Sequence, residues 1–192
     1  MGFLDTILGR SKPAQPNLDE LFSLPTAAVT LEAGMDLVPT GTGSVCFRAV
    51  EGKAFGDIEK DVRELLNMGS GTASVEVSTD SYGFTWLTCR HAKDDFEALV
   101  TDLHAVNSAL VDNGFGPQLL CTMVAFADEN HRRMALVYLY KRGTFYPFAP
   151  VNEGRQQRDN ALELQVKGVL SEDLKIEPEL NRWMALWGAP GL

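Results

Sequence analysis

Two nearly continuous apolar runs, LLCTMVAFA at 119–127 and MALVYLY at 134–140, constrain this chain more than anything else in it. Only the charged DENHRR separates them. A strand with one face in water alternates apolar and polar residues, whereas an unbroken short apolar run describes a strand covered on both faces. The pair predicts two central strands of a sheet with something packed above and below. At 192 residues, 45% hydrophobic and 22% charged, the chain has the length and balance to build one such domain.

The flanking text supplies the other elements. Asn17 can cap LDELFSL, a short helical stretch ending at Pro25, and residues 26–33 read as a strand. Gly and Pro punctuate 34–43 before a second strand, SVCFRAV, at 44–50. AFGDIEKDVRELLNMG carries Phe55, Ile58, Val62, Leu65 and Leu66 at helical spacing and closes at Gly69. ASVEVSTDSYGFTWLTCR predicts a hairpin turning at 80–83. The clearest helix is DDFEALVTDLHAVNSALVDNG, with Phe96, Leu99, Val100, Leu103, Val106, Leu110 and Val111 in one stripe. Asp94 and Glu97 resemble a capping box, and Asn113 and Gly114 suit its end.

In ALELQVKGVL, Leu162, Val166, Val169 and Leu170 recur at helical spacing, yet Leu162, Leu164 and Val166 also alternate as a strand would; helix is the preferred reading. A final short helix is expected around ELNRWMALW, where Trp183, Met184, Leu186 and Trp187 favour packing over exposure. Helix, two strands, helix, hairpin, helix, hairpin, helix and short helix make an α+β domain, an antiparallel sheet packed with helices, rather than alternating βαβ units. From about residue 54 the element order resembles that of type III secretion chaperones, a likeness of architecture alone. SKPAQP at 11–16 divides the chain into an N-terminal amphipathic helix with a Pro-containing tether, 1–16, and a single α+β domain, 17–192.

A net charge of -9 and a pI of 4.8 argue against nucleic acid, whose binding rests on clustered Lys and Arg. Cys46, Cys89 and Cys121 are too widely spaced for a secreted disulfide scaffold, which points to a reducing cytoplasm. The text contains neither a run of about 20 apolar residues nor a leader pattern, so membrane contact is expected to be peripheral at most.

Within MGFLDTILGR, Phe3, Leu4, Ile7 and Leu8 share one helical side. Asp5 against Arg10 and Lys12 leaves a side-chain sum of only +1, so attraction to anionic lipid is weak and docking on protein is favoured over the lipid interface. Gly2 and Thr6 satisfy a myristoylation pattern too short to outweigh chance.

No catalytic constellation is strong. The glycine-rich PTGTGSV at 39–45 and MGSGTAS at 68–74 lead into strands and lack a nucleotide fingerprint, so both read as turns. Cys89 and His91 share a strand face, with His104 on the next helix, but three such residues fall short of a closed zinc site. Asp94, Asp95, Glu97 and Asp102 suit the start of a helix. Neither G-x-S-x-G nor H-E-x-x-H occurs. No cofactor is implied.

KRGTFYPFAPVNEGRQQR, 141–158, is the most suggestive loop: Phe145, Tyr146 and Phe148 accompany Lys141, Arg142, Arg155 and Arg158. Aromatics with arginine anchor interfaces, although large apolar side chains more often cap a core, which is the favoured reading of the three rings. Arg132 and Arg133 stand apart, because a strand of about 3.3 Å per residue puts them roughly 27 Å from Lys141.

MGFLDTILGR, TGTGSVCFRAVEG, DSYGFTWL, VTDLHAVNSAL, GFGPQLLC, LVYLYKRGTFYPFAP, RDNALELQV and WGAPGL together resemble the actinobacterial PspA-associated protein PspAB family, nearly end to end. The resemblance implies a link to phage-shock protein A, PspA, a coiled-coil membrane-remodelling protein of the envelope-stress response. It implies no catalytic activity and no defined binding residues. The expectation is a non-enzymatic cytoplasmic adaptor. The competing readings are a small-ligand or metal-binding enzyme around Cys89, His91 and His104, and a peripheral membrane protein anchored by residues 1–10.

Overall fold

The computed structural model describes residues 17–48, 60 and 74–192. The N-terminal helix and tether, with Phe3, Leu4, Ile7 and Leu8, lie outside the described residues. So do the expected helix at 54–69, save Lys60, and nearly all of the second glycine-rich stretch.

Asn17 caps as expected, its side chain accepting from the Asp19 amide at 3.2 Å, and Leu18–Ser23 is a 3-10 helix. The chain does not then turn into a strand. It continues as helix α1, Leu24–Met35, which overturns both the stop at Pro25 and the strand at 26–33. Pro25 sits in the first turn, where its missing N–H would have no partner anyway. Leu24, Ala27, Ala28 and Leu31 are the buried positions, and that spacing of three and four is helical.

Strands β1 (Val38–Arg48), β2 (Ser74–Thr79), β3 (Phe84–Arg90), β4 (Leu119–Ala127), β5 (Arg133–Leu139) and β6 (Thr144–Phe148) form a sheet of order β2-β3-β1-β4-β5-β6. Every neighbouring pair is antiparallel. The fold is the expected α+β class. Strand β1 starts earlier than its text suggested and absorbs PTGTGSV, so that stretch is not a turn. Its register shifts between Pro39 and Gly43; Gly41 there has φ 80°, and a Cβ on Gly43 would lie 2.6 Å from the Leu103 side chain.

The β2–β3 hairpin turns where expected. Asp80 holds it, with Oδ1 accepting from the Tyr82 and Phe84 amides at 2.9 Å each and Oδ2 from the Trp86 indole at 2.9 Å. Helix α2, Phe96–Asp112, buries Phe96, Leu99, Val100, Leu103, Val106 and Leu110, while Val111 stays 37% exposed. Its cap is Asp95, without a side-chain capping bond, so the Asp94–Glu97 capping box does not form. Gly114 takes the left-handed conformation at its end.

Strand β5 shows why its text is unbroken. Met134, Leu136 and Tyr138 join one apolar cluster, and Ala135 and Val137 join another on the opposite face. The first cluster holds α1, α2 and helix α3, Asn160–Val169, through Leu31, Leu99 and Val166 among others. The second packs Cys46, Trp86, Met123, Tyr146 and Phe148 against Trp183 and Ala189, with Ile176, Leu186, Trp187 and Leu192 partly buried beside them. One sheet face therefore carries helices, and the other carries an irregular C-terminal tail. Of the expected last helix only a single 3-10 turn, Leu180–Arg182, is formed.

Candidate interaction surface

Strand β6 and the tail build the surface together. The Phe145 amide donates to the Lys175 carbonyl at 2.9 Å, and the Glu177 amide to the Phe145 carbonyl at 2.7 Å. Residues 175–177 thus run parallel along the outer edge of β6 and satisfy part of it. The carboxylate of Glu177 is buried. It accepts from Arg142 Nε and Nη2 at 3.0 and 3.2 Å, Thr144 Oγ1 at 2.7 Å and the Glu179 amide at 3.2 Å. Burial alone would raise this carboxyl; the hydrogen bonds from Arg142, Thr144 and the Glu179 amide outweigh it, and the net shift is downward.

From Glu177 the chain folds back over the sheet. The Trp183 indole donates to the Glu177 carbonyl at 3.0 Å and its ring stacks on Tyr146 with centroids 6.1 Å apart. Tyr146 Oη donates to the Met184 carbonyl at 3.0 Å, and Trp187 meets Phe148 edge-on at 5.0 Å. Arg158 ties this tail to the start of α3: Nη1 donates to the Trp183 carbonyl at 2.7 Å and Nε to Glu163 Oε1 at 2.9 Å, with Phe148 under the guanidinium at 5.0 Å. The same Glu163 oxygen accepts from the Ala149 amide at 2.8 Å. Arg158 Nη2 is buried and meets no acceptor among the described residues.

Between α3 and the tail lies a groove of about 330 Å³ lined by Arg158, Asn160, Glu163, Leu164, Leu180 and Trp183. Leu164 and Leu180 stand 51% and 52% exposed, and Met184, next to Trp183 in the chain, 61%. Large apolar side chains clustered in water mark interaction sites more often than chance. A second cleft of about 460 Å³ includes His131, Arg132, Arg133, Pro150, Val151 and Asp159 in its lining. Arg132 is already held there by Asp128, Nε to Oδ2 at 2.6 Å.

The aromatic-basic stretch is thus not the loop it resembles. Phe145, Tyr146 and Phe148 belong to β6 and are wholly buried, which agrees with the favoured core reading and corrects their candidacy as partner-facing anchors. The reason is that both faces of this outer strand are covered, by helices and by tail. Arg142 and Arg158 serve internal bonds, while Lys141 and Arg155 lie on the surface. Sequence reasoning missed Glu163, Glu177 and the groove. One signal was present: Leu164 is the apolar residue that fell off the helical stripe.

Cys89, His91 and His104 are engaged separately. Cys89 is buried, its thiol pushed up to about 12 by burial and by the charge of Asp102. His91 Nε2 lies 2.7 Å from Asp102 Oδ2 and Nδ1 3.5 Å from Asp95 Oδ2. His104 pairs instead with Asp19 at 3.2 Å and packs on the Phe22 ring at 4.8 Å. Among the described residues, no group of three His, Cys, Asp or Glu side chains is placed to hold a metal ion.

A model of the family described as PspA associated protein B, PspAB, matches residues 1–191. The chain belongs to the PspAB family. No curated protein and no solved structure matches it, so the likeness in element order to type III secretion chaperones gains no support from that side. For a PspAB-family chain the family description points to association with PspA, and among the described residues the α3–tail groove sets two half-exposed apolar side chains, Leu164 and Leu180, beside a concavity.

Proposed function

We propose that this PspAB-family protein is a non-enzymatic adaptor that binds PspA in the phage-shock response to envelope stress, acting in the cytoplasm. The observation that carries the reading is the match to a family described as PspA-associated over residues 1–191. The α3–tail groove supports it physically, since Leu164 and Leu180, both in its lining, are left about half in water. The rigid sheet beneath serves as platform: a tail held by Glu177, Tyr146 and Arg158 presents its apolar residues at fixed positions, which lowers the ordering entropy lost on binding.

Co-purification from cells tests the adaptor reading. Tagged full-length protein is expected to bring down PspA in stoichiometric amount. Recovery of neither PspA nor any other stoichiometric protein would overturn it.

A further inference from the structure

We infer that Cys46 and Cys121 are a redox-modification site, a dithiol that hydrogen peroxide closes into a cross-strand disulfide and that a cellular dithiol reopens. The inference stands apart from the adaptor reading. Both thiols are free and lie directly opposite each other on β1 and β4, although β2, β3 and α2 separate them in the sequence. Residues opposed on antiparallel strands have Cα atoms roughly 4.5 or 5.5 Å apart, and a disulfide needs about 4.4–6.8 Å, so the sheet already holds the pair within bridging range. Their side chains share the tail face of the sheet and are hydrogen-bonded to each other. Cys89 is no competitor for either, because it belongs to the helix-side cluster with the sheet in between.

The surroundings set the order of events. Trp183 and Ala189 of the tail join the cluster that covers the pair and leave Cys46 3% and Cys121 6% exposed, so bulky thiol reagents are shut out while peroxide, little larger than water, has far less to displace. The hydrogen bond with Cys121 and burial hold the Cys46 proton far above the usual thiol range, which leaves Cys121 as the attacking sulfur. Cys121 passes its proton to water and attacks one peroxide oxygen; the O–O bond breaks, the departing hydroxide takes up a proton as water, and Cys121 becomes a sulfenic acid. The bond and the charge that held the Cys46 proton are then gone. The Cys46 sulfur attacks the Cys121 sulfur and displaces hydroxide, which carries off the Cys46 proton as a second water. Two thiols are thus oxidised by two electrons, and one peroxide is reduced to two waters. Exchange with a dithiol reverses the bond, as befits a transient disulfide in a reducing compartment.

The test treats the purified, reduced full-length chain with hydrogen peroxide under native conditions, unfolds it in excess alkylating agent and maps its peptides by mass spectrometry. The expected product has lost two hydrogens, joins the peptides carrying Cys46 and Cys121, leaves Cys89 alkylated and reverts with dithiothreitol. Its melting temperature is expected to rise by about 5–10 °C, because the link closes a long loop of the unfolded chain. Cys89→Ala should form the link as the parent does, and Cys46→Ala should stop Cys121 at the sulfenic acid, trapped as a dimedone adduct on unfolding. Where Cys46→Ala fails to fold, the parent and Cys89→Ala decide. Both thiols recovered alkylated after treatment, a link that involves Cys89 or a second chain, oxidation that ends at sulfinic acid without a bridge, or a melting temperature that falls on oxidation would each overturn the site.

Discussion

Arg142 grips Glu177 through two parallel N–H donors, at 3.0 and 3.2 Å, and thereby fastens the C-terminal tail to the turn that precedes β6. The acid is buried and the base is 39% exposed. The groove is built on the stretch of tail that follows Glu177, so its walls depend on this clamp.

Glu177→Ala is expected to lower stability by about 2–3 kcal/mol, less than for a fully buried pair because solvent screens Arg142. The pH dependence has a definite sign. The folded-state shift of Glu177 is downward, so its contribution is present above the unfolded-state titration and is lost as pH falls through the folded one. Thermal melts of parent and Glu177→Gln should therefore differ most at neutral pH and converge in acid. A gap that widens on acidification would contradict the assignment.

Trp183 closes the second sheet face with its indole bonded to Glu177 and its ring on Tyr146. Trp183→Ala should cost about 3–5 kcal/mol by denaturant titration. A change near zero would mean that the tail does not cover the sheet.

Helix α1 offers a comparable test of the corrected segment. Leu31 is fully buried at a helical position, and Leu31→Ala should cost about 2–5 kcal/mol, whereas Val29→Ala, on the exposed side, should cost little. A strand at 26–33 would put positions 29 and 31 on one face and make the two substitutions alike.

The contrast at α1 shows what the sequence could convey. Runs that bury two faces, in β4 and β5, and stripes that bury one, in α2 and α3, stand out because burial acts on every residue of the element. Thr26, Val29 and Thr30 misled because β-branched residues favour strands, and the burial of Leu24, Ala27, Ala28 and Leu31 overrode that weak preference. The site was less legible still. Glu177 becomes a buried clamp only through Arg142 and Thr144, 35 and 33 residues away, and no local pattern records such a pairing. Phe145, Tyr146 and Phe148 left the interface reading open beside the favoured core reading because a strand covered on both faces and an aromatic loop share the same composition.

The cysteines offer a check on the enzymatic alternative. Cys46 and Cys121 are free thiols facing each other across β1 and β4, and a side-chain hydrogen bond with Cys121 together with burial pushes Cys46 far above the usual thiol range; burial also raises Cys89. A thiol reagent at pH 8 should label none of Cys46, Cys89 and Cys121 faster than the protein unfolds, and elemental analysis should find no stoichiometric metal. Rapid labelling of native protein, or a metal held at one per chain, would favour a reactive or metal site around Cys89, His91 and His104.

The most direct measurement is amide hydrogen exchange on the purified full-length chain with and without purified PspA. Docking in the α3–tail groove predicts slower exchange in peptides covering 160–164 and 178–184 when PspA is added, with α1 and the β2–β3 hairpin unchanged. Exchange that PspA leaves unaltered throughout the chain, or slows only away from the groove, would contradict the account.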